Sequence, residues 1–208
     1  MPSISYAITA CNEHVELERL LDQLNSFIRP IDEIVLQMDA IATTEVKKVA
    51  DKYNVGTKYD YHRIYASLNG DFASFKNNLK EHCTKSWIFF IDADEYLSDG
   101  LSENLNEVLN INEGLVDVIA VPRINTVDGL TREHIDKWRW FVDNNGWINY
   151  PDYQTRLCIN KPEIKWINKV HERLSGWKTI ANLPNGYELL HPKNIERQEK
   201  QNKFYDTI

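Results

Sequence analysis

The sequence predicts an α/β fold in which a mostly parallel central sheet is flanked by helices and followed by an irregular, tryptophan-rich C-terminal half. Three observations support this prediction. In the first half of the chain, short apolar runs alternate with stretches of helical periodicity. Residues 87–91 (WIFFI) are five consecutive apolar residues, as expected of a central strand buried on both faces. The chain has 208 residues, 42% of them hydrophobic, which is enough to bury a core within one domain.

The first two strand and helix pairs follow from the spacing of apolar residues. We expect a strand over residues 3–9, and then a helix that has Asn12 as its N-cap and is closed by Pro30. Its buried stripe consists of Leu17, Leu20, Leu21, Leu24 and Phe27. A second strand over residues 34–38 ends in Asp39. The next helix begins behind Thr43 or Thr44 and buries Val46, Val49, Ala50 and Tyr53.

The pattern continues as far as residue 123. We expect a third strand within residues 58–65, a turn and cap at residues 69–71, and a helix that buries Phe72, Phe75 and Leu79. The central strand at residues 87–91 runs directly into Asp92-Ala93-Asp94-Glu95. A further helix buries Leu101, Leu105, Val108 and Leu109, and a strand over residues 116–121 ends before Pro122.

From about Ile124 the regular pattern is lost. Short, loop-separated elements are expected there, together with five of the six tryptophans: Trp138, Trp140, Trp147, Trp166 and Trp177. Residues 194–205 are polar and predict a terminal helix. We therefore expect a single domain over residues 1–208, with a regular first half (1–123) and an irregular second half that ends in a C-terminal arm (124–208).

Charge and cysteine content exclude several classes of protein. Twenty-four basic residues against 31 acidic residues give a formal charge of −7, which argues against binding of nucleic acid or an anionic membrane by charge. Cys11, Cys83 and Cys158 are odd in number and widely spaced, so neither a disulfide framework nor a structural zinc site is predicted. No targeting segment and no apolar run that could span a bilayer is apparent. We expect a soluble, cytoplasmic protein.

The polar residues that follow the predicted strands form the candidate site. In open parallel sheets, ligands bind at the carboxyl ends of the strands, so residues 9–13, Asp39 and residues 92–95 should gather at one edge. Asp92 and Asp94, two residues apart, can project on the same side of an extended segment. They would then hold Mg²⁺ or Mn²⁺ together with the oxygens of a diphosphate. The alternative is that these acidic residues only cap the following helix.

Several segments together resemble family 2 glycosyltransferases with the GT-A fold, a Rossmann-like fold that binds nucleotide-diphospho-sugars. The matching segments are ITACNE (8–13), Asp39, GDFASFKNN (70–78), SWIFFIDADEYL (86–97) and TRLCINKPEIKWINKVHE (155–172). The last segment is similar to a block that ends in VHE in small sugar transferases acting on lipopolysaccharide or related glycans. The resemblance extends from residue 4 to about residue 191.

The resemblance implies that the half over residues 124–208, with its C-terminal arm, binds the acceptor, and that the half over residues 1–123 binds a nucleotide diphosphate sugar donor. Its base and ribose would be lined by Thr9, Ala10, Cys11, Asn12 and Glu13. Asp39 would accept a hydrogen bond from a uracil N3–H, which favours UDP. GDP and dTDP sugars remain as alternative donors. Asp92 would contact the ribose, with Ala93 between it and the metal ligand Asp94. Lys76 would approach the base or phosphate, or else is an exposed lysine on a helix.

The resemblance also implies a metal ligand late in the chain. His191 and His171 are the candidates, with His191 preferred, and Mn²⁺ or Mg²⁺ as the ion. The other histidines fit no ligand spacing.

Family 2 members invert the anomeric centre, so a carboxylate must remove the proton of the acceptor hydroxyl as that oxygen attacks C1. Asp152 matches best in position, in a loop where a carboxylate is solvated by default, and Glu172 and Asp143 are rivals. Arg156 either orients the base or the pyrophosphate, or pairs on the surface. The acceptor would be a hydroxyl of a glycan, lipid-linked or protein-linked molecule. Trp138, Trp140 and Trp147 either line a sugar pocket or pack in the core.

Three other functions remain as alternatives. A nucleotidyltransferase acting on sugar phosphates needs a glycine-rich phosphate loop, and the first loop, TACNEH, contains no glycine. A haloacid-dehalogenase phosphatase also uses a DxD motif, but after an early strand and with a threonine soon after it. A non-catalytic glycan-binding or assembly module on the same fold is the third alternative.

Overall fold

The computed structural model describes residues 1–54 and 57–205, and the side chains of 204 and 205 are not described. Residues 206–208, the end of the predicted domain, lie outside the described residues. Strands and helices alternate through the first half, as predicted. The elements are β1 (Ile4–Ala10), α1 (His14–Phe27), β2 (Glu33–Asp39), α2 (Thr44–Lys52), β3 (Asp60–Ala66), α3 (Phe72–Glu81), β4 (Trp87–Asp92), β5 (Tyr96–Leu97), α4 (Asp99–Asn112), β6 (Val118–Asp128), α5 (Arg132–Trp138), β7 (Ile148–Ile159), β8 (Lys165–Ile167), β9 (Arg173–Ser175), β10 (Ile180–Asn182), β11 (Leu189–Asn194) and α6 (Ile195–Tyr205).

The central sheet has the strand order β3-β2-β1-β4-β7-β6-β11-β5, with β10 paired to β6. The four strands from β3 to β4 are mutually parallel, so their carboxyl ends lie at one edge. Antiparallel β7 separates β4 from β6, and β11 runs parallel to β6. The prediction of a mostly parallel sheet flanked by helices is confirmed.

Two hydrophobic clusters cover the two faces of the sheet. Alternate residues of each strand point to opposite faces, so Tyr6 and Ile8 of β1 pack with α1, α2 and α4, whereas Ala7 packs on the other side with α3 and the β8–β9 hairpin. All seven residues of β2 and the first five of β4 are buried. This two-sided burial explains the unbroken apolar run of residues 87–91.

Local capping explains where the helices begin and corrects one prediction. Asp71 and Thr43 accept hydrogen bonds from the backbone N–H groups of Ser74 and Val46, as N-caps do. Asn69 and Gly70 have φ values of 47° and 71°, which confirms the predicted turn. Asn12 is not an N-cap. Glu13 occupies that position, and α1 ends at residue 27, before Pro30.

The C-terminal half is more regular than predicted. Strand β7 has 12 residues, and the 11-residue β6 runs from residue 118 into this half, so long strands occur here as well as short ones. β6 does not end before Pro122 but continues to Asp128. Pro122 lies between two irregularities of the β6–β7 pairing, where a sheet tolerates a residue without an N–H group. The predicted terminal helix is present as α6. In the part of the chain that the structure describes, no helix combines the length and apolar character needed to cross a bilayer.

Candidate active site

The site lies at the carboxyl edge of the parallel strands. Thr9 and Asp92 are register partners at the ends of β1 and β4, and the Thr9 hydroxyl donates to Asp92 Oδ1 at 3.1 Å. Asp39 ends β2 beside them. It is 6% exposed, and its Oδ1 accepts the N–H of Ile41. The structure therefore brings together the strand-end residues that the sequence analysis selected.

The loop after β1 is fixed by its own acidic side chain. Glu13 Oε2 accepts the N–H groups of Cys11 (2.8 Å) and Asn12 (3.0 Å), and the Cys11 carbonyl accepts the N–H of Thr43. Burial, followed by the charges of Asp39 and Glu13, raises the pKa of the Cys11 thiol. The thiol stays protonated at neutral pH, and the loop presents a preformed edge from Thr9 to Glu13.

Asp92 and Asp94 do not act as one pair, which corrects the expectation from their spacing. β4 ends at Asp92, and the Glu95 N–H donates to the Asp92 carbonyl, so the chain turns instead of continuing as an extended segment. Asp92 pairs with Lys76 and Arg156, whereas Asp94 pairs with a different set of basic groups. The two carboxylates therefore have separate environments.

Asp92 belongs to a series of side chains that alternate in charge. In order, the members of this ion chain are Asp152, Arg123, Glu95, Arg156, Asp92, Lys76 and Glu172. Glu95, its third member, lies between Arg123 and Arg156 and is fully buried. Glu95 Oε1 accepts from Arg156 at 2.6 Å and from Arg123 at 2.9 Å, and its Oε2 accepts the N–H of Asp92. Both oxygens of this buried carboxylate are thus satisfied.

The two basic partners of Asp92 in the ion chain are also buried. Arg156, on β7, is 3% exposed and donates to Asp92 Oδ2 at 2.7 Å. Lys76, on α3, is 4% exposed, with its Nζ 3.1 Å from Asp92 Oδ1 and 2.8 Å from Glu172. Lys76 is therefore not an exposed lysine, and Arg156 does not pair on the surface. Burial raises the pKa of Asp92, but Arg156 and Lys76 outweigh it and hold that pKa well below its usual range.

The candidate bases lie in different places. Asp152 and Glu172 stand at opposite ends of the ion chain. Asp152 lies in strand β7 and not in a loop, and Arg123, Asn125 and Gln154 hydrogen-bond to its carboxylate. Burial raises the pKa of Asp152, but Arg123 and these hydrogen bonds lower that pKa by a larger amount. The pKa of Asp152 is therefore below its usual value. Asp143 accepts the N–H groups of its own loop.

The Asp94 carboxylate faces His191 of β11, whose Nε2 is 3.2 Å from Asp94 Oδ2. The tautomer of this histidine follows from its neighbours. Asn125 Nδ2 donates to Asp152, so Asn125 Oδ1 faces His191 Nδ1 at 2.7 Å and that nitrogen must donate. His191 Nε2 can then meet the Asp94 carboxylate only across a proton or a metal cation. This anchored arrangement is typical of a metal-ligating histidine.

Two basic residues of the C-terminal segment also reach Asp94. Arg197 Nη2 lies 3.2 Å from Asp94 Oδ2, and Lys193 Nζ lies 4.0 Å from the same oxygen. Burial raises the pKa of Asp94, but His191, Lys193 and Arg197 together hold it far below its usual range.

The donor set fits a divalent cation. A carboxylate and a neutral imidazole suit Mn²⁺ or Mg²⁺, with water or a diphosphate completing the shell. No group of three or more His, Cys, Asp or Glu side chains is arranged for a metal ion among the residues that the structure describes. His171, which has a φ of 54°, directly precedes Glu172, whose carboxylate pairs with Lys76.

The five C-terminal tryptophans separate into two groups. Trp166 and Trp177 pack on the hydrophobic cluster below α3. Trp138 contacts Trp140 with the rings tilted by 49° and their centroids 4.7 Å apart, and Trp147 contacts Tyr150 with centroids 4.8 Å apart. These last four rings are partly exposed. Packing in the core therefore explains Trp166 and Trp177. It does not explain the partly exposed Trp138, Trp140 and Trp147.

Sequence reasoning placed Glu95 at this edge without assigning it a role, and it missed four other polar residues of the site: Arg123, Asn125, Lys193 and Arg197. Arg123 and Asn125 share a face of β6 just beyond Pro122, where the strand was expected to end. If the alternation of side chains along the strand had been continued past Pro122, Arg123 and Asn125 would have been placed on one face, where both contact Asp152 of β7. Arg197 had no sequence signal, because a basic residue on a polar helix is normally solvated.

The amino-acid sequence is similar to a known family and to two curated proteins. The sequence model described as Glycosyl transferase family 2 matches residues 5–164. The SPbeta prophage-derived glycosyltransferase SunS of Bacillus subtilis (strain 168) is 27% identical over 212 residues, which cover 97% of this chain and 43% of that protein. The glycosyltransferase SunS of Bacillus phage SPbeta gives the same values. The chain thus spans less than half the length of these curated relatives.

Solved structures show the same fold. TarS 1-349 of S. aureus in complex with UDP-GlcNAc superposes with a TM-score of 0.63 at 16% identity, covering 93% of this chain and 59% of that one. The UDP complex of the same protein also gives a TM-score of 0.63, covering 92% and 60%. With the family model matching more than half of the sequence, and with this sheet and its helices, the chain belongs to glycosyl transferase family 2 and has the GT-A fold.

Proposed function

We propose that this chain is a metal-dependent, inverting glycosyltransferase that moves a sugar from a nucleotide diphosphate sugar, preferably a UDP-sugar, to a hydroxyl of a glycan, lipid-linked or protein-linked acceptor. The observation that carries the proposal is the Asp94–His191 pair, 3.2 Å apart at the carboxyl edge beside Asp92. A carboxylate and an oriented imidazole at this edge suit a metal that binds a diphosphate.

The nucleotide binds along the end of β1. Its base and ribose are lined by Thr9, Ala10, Cys11, Asn12 and Glu13, and Asp39 accepts from the uracil N3–H. Cytosine has no donor at that position, so this carboxylate favours UDP. The S. aureus TarS structures contain UDP-GlcNAc and UDP, which supports a nucleotide-sugar donor on this fold.

Asp92, with Ala93 beside it, faces the ribose and takes no part in holding the metal. Its carboxylate is kept ionised and oriented by Arg156 and Lys76. Asp94 and His191 would hold Mn²⁺ or Mg²⁺, which when bound stabilises the charge on the departing diphosphate. His171 is the second histidine candidate for the same ion.

Asp152 serves as the catalytic base and takes the proton of the acceptor hydroxyl. Arg123 and Asn125 fix its carboxylate, and its lowered pKa keeps it ionised at neutral pH. Glu172 is the second candidate, because it stands at the other end of the ion chain beside Lys76.

Calorimetric titration with UDP tests the donor site. UDP should bind the wild-type protein more tightly with Mn²⁺ than without it, and Asp94→Asn should remove that gain. Asp99→Asn, which makes the same charge change on an exposed residue of α4, should retain it. A metal-independent UDP affinity, or no UDP binding at all, would contradict the proposal. A panel of nucleotide sugars, scored by hydrolysis, then identifies the donor.

A further inference from the structure

Arg197, in the first turns of α6, binds three carboxylates from three separate segments. Its Nη1 lies 2.7 Å from Glu16 in α1, and its Nη2 lies 3.3 Å from Glu13 and 3.2 Å from Asp94. Arg197 and these three acids form the Arg197 cluster. One guanidinium thus joins the C-terminal helix to the nucleotide loop and to the proposed metal ligand.

We propose that Arg197 is a donor-binding residue that exchanges between two anionic partners: the carboxylates of the Arg197 cluster in the free protein, and the diphosphate of the nucleotide donor in the complex. This inference rests on the proposed function, because it takes the Asp94 and His191 pair as the metal site. Helix α6 is then part of the donor site and shifts when the donor binds.

Charge explains why the exchange occurs. In the free protein Asp94 has Arg197 and Lys193 as cationic partners. A divalent ion at Asp94 would lie beside both of these cations, so a metal alone must compete with Arg197. A bound diphosphate reverses this balance, because its negative charge attracts the guanidinium away from Asp94. The planar fork of arginine also suits two phosphate oxygens at once.

The attachment of α6 allows this movement. None of its residues from 195 to 203 is fully buried. Besides the Arg197 contacts, Gln201 accepts from Lys193 at 2.6 Å, and Glu199 lies 3.6 Å from His134 of α5. A helix that is held by polar contacts at its surface can shift at small cost compared with one that is part of the core.

Three measurements test the inference without relying on turnover. Free Mn²⁺, followed by its electron paramagnetic resonance signal, measures metal affinity in the absence of nucleotide. Calorimetry measures UDP affinity at saturating Mn²⁺ and uridine affinity as the phosphate-free control. The variants are Arg197→Gln, Arg197→Lys and Lys200→Gln, the last removing an exposed positive charge from the same helix.

Arg197→Gln should shift the two affinities in opposite directions. Mn²⁺ alone should bind several-fold more tightly, since its competitor is gone. UDP with Mn²⁺ should bind about tenfold more weakly, as expected for loss of one charge-assisted contact. Uridine affinity should not change. Arg197→Lys should keep part of the UDP affinity, and Lys200→Gln should match the wild type in all three measurements.

The outcomes separate the two proposals. If the wild-type protein gains no UDP affinity from Mn²⁺, the proposed function fails and this inference fails with it. If the wild type shows the gain but Arg197→Gln equals Lys200→Gln, only the inference is wrong. Tighter Mn²⁺ binding with unchanged UDP affinity would also overturn it, because Arg197 would then be an internal cation that never contacts the donor.

Discussion

Arg123 holds the carboxylate of Asp152 through a single oxygen. Its Nε and Nη2 atoms both donate to Asp152 Oδ2, at 3.0 and 2.7 Å. Asp152 Oδ1 accepts from Gln154 at 2.6 Å. Because Arg123 also donates to the buried Glu95, the orientation of Asp152 is tied to the next carboxylate of the ion chain. A carboxylate held in this way has little rotational freedom, which suits a base that must meet one acceptor hydroxyl.

Asp152→Asn should abolish transfer without loss of donor binding. The amide cannot take a proton, so we expect the turnover rate to fall by about 10²–10⁴-fold, the usual contribution of a general base. UDP affinity, measured by calorimetry, should stay at the wild-type value. Asp136→Asn, at an exposed aspartate of α5, is the matched control and should turn over normally. Retained turnover in Asp152→Asn together with its loss in Glu172→Gln would pass the role to Glu172.

Arg156→Leu should destabilise the fold by about 3–5 kcal/mol, because it leaves one buried and one partly exposed carboxylate without their shared cation, which is itself buried. Those carboxylates are Asp92 and Glu95. The free energy of unfolding, measured by urea denaturation at pH 7, checks this value. Arg132→Leu is the control: its side chain is 82% exposed and pairs with Asp136 on the surface of α5. We expect it to cost less than about 0.5 kcal/mol. Equal losses for the two variants would contradict a structural role for the ion chain.

Asp39→Ala should weaken UDP binding and reduce the preference for uracil over cytosine. A hydrogen bond from the base to an ionised group is worth enough that the UDP affinity should fall about tenfold. CDP affinity should change much less. Calorimetry with both nucleotides at saturating Mn²⁺ measures the ratio. An unchanged ratio would mean that Asp39, which is 6% exposed and accepts from Ile41, only shapes the end of β2.

The fold was more predictable from the sequence than the site was. The strand at 87–91 and the stripe of leucines in α1 are local patterns of burial, and the structure keeps both. Contacts between distant segments carry no such pattern. The ion pairs between Lys76 and Glu172, and between Asp94 and His191, join residues about a hundred positions apart. Lysine and arginine are surface residues by default, so a buried Lys76 could be found only from the structure.

Stability should fall as the pH drops below about 4, the ordinary pKa range of aspartate. The pKa values of Asp92, Asp94 and Asp152 are all lowered in the folded protein. Their contribution is therefore complete above the unfolded-state pKa and is lost as the pH falls through the lower folded-state values. Urea midpoints between pH 2 and 6 should trace this loss.

For Asp94→Asn, the difference in unfolding free energy from the wild type should shrink as the pH falls, because the wild-type carboxylate becomes neutral too. A difference that stays constant across this range would mean that the ionised form of Asp94 adds nothing to stability.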